Sequence, residues 1–164
     1  MVLFDWGDTV MRNFPSFSGP MHAWPRVEEI PGVRTALEIL RPSFRIGLAT
    51  NAEDSNETDI RRALMRCGLS DAFDSVFCTR QIGHRKSERA FYLRILETLE
   101  IDASDVFMVG DSLEGDVQVA NSAGISAVWF NPGSQVSSSG ECHRTIHRFE
   151  DLAAALQELG ARFP

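Results

Sequence analysis

The sequence predicts a doubly wound α/β domain, a parallel sheet with helices on both faces. Three observations predict it. Five short apolar runs recur along the chain: Val2–Phe4, Phe44–Ala49, Ser75–Cys78, Val106–Val109 and Ser126–Phe130. Each is too short for a helix and is bounded by polar residues or glycine, so each reads as a buried strand. Segments with helical spacing lie between them. Strands that alternate with helices build a parallel sheet covered on both sides, and right-handed crossovers wind it in two directions.

The elements follow in order. Val2–Phe4 runs straight into Asp5. Residues 10–31 carry Phe14, Phe17, Met21, His22 and Trp24 among Pro15, Pro20, Pro25 and Pro31. That many prolines forbid a long helix or a central strand, so the segment reads as an irregular flap and short insert beside the sheet. Val33, Ala36, Leu37 and Leu40 then make one helical stripe, and Ile60, Ala63, Leu64 and Cys67 a second. Tyr92, Ile95, Leu96 and Leu99 make a third, and Leu152, Ala155, Leu156 and Leu159 a fourth. Residues 132–141 are rich in Gly and Ser and read as a mobile surface loop. No repeat or second domain is visible, so residues 1–164 are expected to form one domain.

Composition narrows the function. A chain of 164 residues buries a real core. Its net charge of -7 argues against a nucleic-acid surface. No apolar run is long enough to span a bilayer. The first residues lack the basic and apolar regions of a signal peptide. Cys67, Cys78 and Cys142 are odd in number and far apart, which fits neither a disulfide framework nor a zinc site. A reducing cytoplasm is the expected compartment.

The polar candidates sit at strand ends. Asp5 ends the first strand, Thr50 follows Arg45–Ala49, and Asp111 follows Val106–Gly110. Open α/β sheets bind ligands at the carboxyl ends of their strands, near a topological switch point. If the second and fourth strands flank the first, these side chains converge on one crevice.

Four stretches then occur in order: Phe4-Asp5-Trp6-Gly7-Asp8-Thr9, Ala49-Thr50-Asn51-Ala52, Ile82-Gly83-His84-Arg85-Lys86 and Gly110-Asp111-Ser112-Leu113-Glu114-Gly115-Asp116. In order and spacing they resemble the nucleophile, second, lysine and acidic motifs of the haloacid dehalogenase-like (HAD) hydrolases, which have a Rossmann-like core. The resemblance covers nearly the whole chain. It implies a phosphatase in which Asp5 attacks phosphorus and forms an aspartyl-phosphate. It implies Mg²⁺ held by Asp5, the Gly7 carbonyl and Asp111, with Asp116 in support. It implies Thr50 and the Asn51 backbone N–H on the phosphoryl group, near a following helix N-terminus, and Lys86 offsetting the negative charge.

Gly7 is the main departure, because most phosphatases of this family carry an acid–base aspartate there. Such a group contributes roughly 10²–10⁴-fold. In an extended chain Asp8 points to the opposite face from that position; in a chain that coils after Asp5 it reaches the site. Ser87 stands where a proline usually follows the lysine, and serine starts a helix as well.

The intervals where this family inserts caps hold only the flap with one helix, and one helix with one strand. A capless, open site follows, or one covered by a second copy of the chain. The substrate is a phosphorylated compound of unspecified identity. The alternative is a catalytically weak metal-binding or regulatory protein, supported by Gly7. Dehalogenases of this family need no metal, so Asp111 and Asp116 count against C–Cl cleavage. Phosphonate cleavage would want a Schiff-base lysine on a cap. His22 and His84 read as surface residues, Arg80 and Arg85 are left open between a solvated basic loop and a role beside Lys86, and Cys67 and Cys78 read as core thiols.

Overall fold

The computed structural model describes residues 1–163. Six strands form one sheet: β1 (Val2–Phe4), β2 (Ile46–Thr50), β3 (Ser75–Cys78), β4 (Phe107–Gly110), β5 (Ser126–Phe130) and β6 (His143–Ile146). Their spatial order is β3-β2-β1-β4-β5-β6, and every neighbouring pair is parallel. β2 and β4 therefore flank β1, with Phe4 level with Leu48 on one side and Val109 on the other. The winding reverses at β1, which makes its carboxyl end the switch point.

The α-helices are α1 (Val33–Leu40), α2 (Glu57–Arg66), α3 (Thr79–Ile82), α4 (Arg89–Leu99), α5 (Val119–Ser122) and α6 (Leu152–Glu158). Side chains alternate across the sheet, so Val2 and Phe4 face one core and Leu3 the other. The first core takes the apolar faces of α1, α2 and α6 through Leu37, Leu64 and Leu156. The second takes α4 and α5 through Phe91, Tyr92, Ile95 and Ala120. The helical stripes read from the sequence are these faces. α2 starts with a reciprocal cap, in which the Asn56 side chain accepts from Asp59 N and the Asp59 carboxylate from Asn56 N.

Two readings need correction. β6 was not expected, because it is an edge strand of sequence His-Arg-Thr-Ile in which only Ile146 is buried. A strand with so little apolar surface leaves no periodic signal. The second strand begins at Ile46, because Phe44 turns off the sheet and packs against Phe107 and Phe163.

The flap is irregular, with one short 3₁₀ turn, Met21–Ala23. Its base is closed by an antiparallel bridge between Met11 and Glu29. Phe14, Phe17 and Trp24 cluster with ring centroids 5.4, 5.7 and 6.4 Å apart. Arg66, the last residue of α2, donates to the carbonyls of His22 (2.9 Å) and Trp24 (2.6 Å) and ties the flap to the body. The 132–141 loop is anchored to β6, with Ser138 N donating to Thr145 Oγ1 and Gly140 N to the His143 carbonyl.

Candidate active site

Asp5 leaves β1 where the sheet reverses. Its N–H still donates to the Val109 carbonyl at 2.8 Å, so the sheet ladder sets its position. The chain then coils at once: Val10 N and Met11 N both donate to the Trp6 carbonyl, and Asp8 adopts a left-handed backbone, φ 56°. Of the two alternatives for Asp8, the coiled one holds. Asp8 borders the site, and its Oδ1 accepts the backbone N–H of Asn13 at 2.9 Å.

Lys86 comes from the loop between α3 and α4. Its ammonium donates to Asp5 Oδ1, to Asp116 Oδ1 at 2.8 Å and to the Ala49 carbonyl at 3.3 Å. Asp5, Lys86 and Asp116 are 7%, 4% and 2% exposed, so this ion cluster is almost dry. Burial alone would lower the Lys86 pKa; Asp5 and Asp116 outweigh it and hold the group above its usual range. Burial is also the largest effect on Asp5, and with Asp116 it raises that carboxyl pKa against the pull of Lys86.

Asp116 sits in a wide helical turn of π type, Leu113–Gln118. Such turns recur at functional sites. Its Oδ2 accepts from Ser112 N at 3.1 Å, and Ser112 Oγ accepts from Gly115 N at 2.9 Å. A Cβ on Gly110 would lie 2.1 Å from Asp116 Oδ2, so only glycine admits Asp116 here. Asp111 is exposed as a residue, yet its carboxyl group faces the other acids: Asp5, Asp111 and Asp116 each offer an oxygen within 4.8 Å of the others. Desolvation of that group, then the charges of Asp5 and Asp116, raise its pKa to about 7.

Three carboxyl groups facing one ammonium leave more acid groups than cations, and the raised pKa values of Asp5 and Asp111 are the result. A hard divalent cation with oxygen ligands fits that imbalance and that donor set.

Thr50 ends β2, is 4% exposed, and accepts from Ala52 N through Oγ1 at 3.1 Å. Asn51 differs from expectation. α2 starts only at Glu57, six residues further on, so the Asn51 N–H is not at a helix N-terminus. Its side chain instead accepts the Lys86 backbone N–H at 2.6 Å and bonds Thr79 Oγ1 at 3.4 Å, bracing the lysine loop. Asp5, Gly7, Thr50, Asn51, Lys86, Asp111 and Asp116 all line one pocket of about 300 Å³. A larger cavity beyond Asp8, about 610 Å³, is lined by Arg12, Phe130 and His147 and lacks the acid cluster.

Arg85 pairs with Glu53 and His84 with Glu88 at exposed positions, while His22 lies 3.6 Å from Asp59 on the flap side of α2. Sequence reasoning missed Trp129, whose Nε1–H donates to the Asp111 carbonyl at 2.9 Å and steadies the acidic loop from β5. It also missed Tyr92, whose buried hydroxyl has no partner and whose pKa is raised by burial and by Asp116 and Asp5. Both read in sequence as ordinary core aromatics.

A model of the haloacid dehalogenase-like hydrolases matches residues 19–124. That stretch contains Thr50, Lys86, Asp111 and Asp116 and begins after Asp5 and Gly7. The glyceraldehyde 3-phosphate phosphatase of Pyrococcus abyssi is 31% identical over 108 residues, 65% of this chain and 44% of that protein. The ribulose-1,5-bisphosphate 5-phosphatase of Halopiger xanaduensis is 32% identical over 117 residues, 70% of this chain and 47% of that protein. The chain thus spans about half the length of these curated relatives. An uncharacterized protein from Listeria monocytogenes serotype 4b superposes with a TM-score of 0.84 at 24% identity, covering 97% of both chains, which shows the shared fold.

Proposed function

The chain belongs to the haloacid dehalogenase-like hydrolases, and from that premise we propose that it is a Mg²⁺-dependent phosphatase working through an aspartyl-phosphate on Asp5. The observation that carries this reading is the convergence of Asp5, Lys86, Asp111 and Asp116 on one pocket at the switch point of the sheet.

Asp5 is the nucleophile. Lys86 holds its Oδ1 and so orients the carboxylate, and Oδ2 is the oxygen that meets phosphorus. Lys86 also places positive charge where the transferring oxygens gather. Thr50 offers its hydroxyl proton to one of those oxygens, since its Oγ1 already accepts from Ala52. Asn51 keeps the lysine loop in register through the Lys86 backbone N–H. Asp5, Asp111, the Gly7 carbonyl and, in support, Asp116 are the groups that would hold the metal. When bound, Mg²⁺ supplies the positive charge that lets an anionic carboxylate approach an anionic phosphoryl group. Water then hydrolyses the aspartyl-phosphate and frees Asp5.

The named relatives are phosphatases of small phosphorylated sugars, and they support this reading over the alternative of a metal-binding protein without turnover. The alternative rests on Gly7 alone. All three cysteines are free, and among the described residues no helix is long and apolar enough to cross a membrane. A cytoplasmic place is proposed on the free thiols. The uncovered pocket leaves room for a second copy of the chain to lie across it, which the oligomeric state in solution tests.

The test is phosphate release from a broad panel of phosphate monoesters with Mg²⁺, with EDTA, and with Asp5→Asn. Turnover that requires both the metal and Asp5 is expected. Mg²⁺ binding without release from any ester would leave the metal-binding alternative standing.

A further inference from the structure

The flap encloses a side pocket of about 240 Å³. Trp6, Met21 and Trp24 form its apolar walls, and Asn13 and Asp54 its polar side. Gly7, Asn13, Thr50 and Ala52 line both this pocket and the acid-lined one, so the two spaces adjoin at these residues. Gly7 is the doorway. A Cβ there would meet nothing within 4 Å. The missing side chain therefore does two things at once. It removes a proton donor from beside the nucleophile, and it leaves the passage open.

The two carboxylates near that position, Asp8 and Asp54, are each already engaged in a hydrogen bond. Asp8 borders the acid-lined pocket but not the flap pocket, and its Oδ1 is held by Asn13 N–H. Asp54, the carboxylate that lines the flap pocket, is exposed and bonded to Ser55 Oγ at 3.1 Å.

We propose that the flap pocket receives the leaving group and that the preferred substrate is an aryl phosphate, the monoester of a single-ring phenol. The proposal rests on the phosphatase reading above. An aliphatic alkoxide is too basic to depart without a proton. A phenol ionises at about 10, so a phenoxide is a far weaker base and leaves unprotonated. Indole walls favour an aromatic ring over a polyol of similar size. A volume of about 240 Å³ holds one ring rather than a nucleotide.

The step balances without an acid. Asp5 Oδ2 forms a bond to phosphorus while the bond from phosphorus to the aryl oxygen breaks. The electron pair stays on that oxygen, and the phenoxide takes its proton from solvent after leaving the pocket. Water then attacks the phosphorus of the aspartyl-phosphate. Its bond to Asp5 breaks, the carboxylate is restored, and the proton goes to the released phosphate.

The experiment compares kcat/KM with Mg²⁺ for phenyl phosphate and cyclohexyl phosphate, two esters of matched size. The phenyl ester should win by about 100-fold or more, the scale of a missing general acid. Gly7→Asp, checked for folding by circular dichroism, should shrink that ratio at least about tenfold, because the alkyl ester gains a donor and the aryl ester meets a narrowed doorway. Asp54→Phe, at an exposed position that lines the flap pocket but not the acid-lined one, should fill the flap pocket and raise KM for phenyl phosphate about tenfold, while inhibition by inorganic phosphate stays within about twofold. Equal efficiency on the two esters, or a ratio that folded Gly7→Asp leaves unchanged, overturns the proposal and spares the phosphatase reading. If neither ester turns over, phenylphosphonate is titrated against tryptophan fluorescence. Quenching that Asp54→Phe abolishes retains the aryl site; its absence overturns the aryl site, and the broad ester panel decides the phosphatase reading.

Discussion

The floor of the acid-lined pocket and the flap beside it are built on opposite plans. The floor is charged and dry. Asp5, Lys86 and Asp116 are nearly sealed from water and are held by the sheet ladder, by each other and by Asn51. The flap is apolar and irregular, made of aromatic rings among prolines and pinned through carbonyls by Arg66. The difference teaches a division of labour. Charges worth more in a low dielectric have to be fixed before substrate arrives, so they sit on the sheet. Shape can be selected by a loop, because packing against a ring tolerates small displacements.

Breaking the floor should have the largest effect. Lys86→Met leaves Asp5 and Asp116 facing each other without a cation. Removing one partner of a buried ion cluster costs about 3–5 kcal/mol, visible as a lower urea midpoint, and turnover should fall by roughly 10²–10³-fold or more. Retained turnover would show that the ammonium is not needed at the nucleophile. Gly110→Ala comes next. Its methyl group collides with the Asp116 carboxylate, and forced overpacking costs about 1–3 kcal/mol. Calorimetric titration should show weaker Mg²⁺ binding as Asp116 is displaced.

A third comparison uses pH. Asp111 has a folded-state pKa of about 7, well above the ordinary carboxylate range. Without metal the folded chain therefore keeps a proton that the unfolded chain releases. That contribution to stability is complete below the unfolded value and is lost as pH rises to about 7. Melting in EDTA should accordingly fall between pH 4.5 and 8. Mg²⁺ competes with the same proton, so its affinity should rise over this window, and Asp111→Asn should flatten both trends. A metal affinity independent of pH would place Asp111 outside the ligand set. The smallest effect belongs to the flap. Arg66→Ala removes its ties to His22 and Trp24, each worth about 1 kcal/mol. KM should rise a few-fold with kcat little changed.

Several features were legible because they are local. The apolar runs that became β1, β3 and β5 carry their burial in composition, and the helical stripes of α1, α2, α4 and α6 carry it in spacing. The four motifs named every acid that the pocket gathers. β6 was invisible because an edge strand buries one residue. The side-chain role of Asn51 was invisible because its partner lies 35 positions away. The same holds for Trp129, whose spacing says core while its indole N–H serves the acidic loop 18 positions earlier.

By itself, then, the sequence determined the layering of the sheet, the order of its helices and the identity of the groups that carry the charge. These follow from periodicity and residue type, which act over a few neighbours. The tertiary structure alone decided that Lys86 lies between Asp5 and Asp116, that Asp111 shares their field, and that Gly7 opens toward Trp6 and Trp24. Those outcomes depend on groups brought together across the sheet reversal. Coulomb energy, desolvation and free volume depend on distance in space, which the order of residues along the chain does not contain.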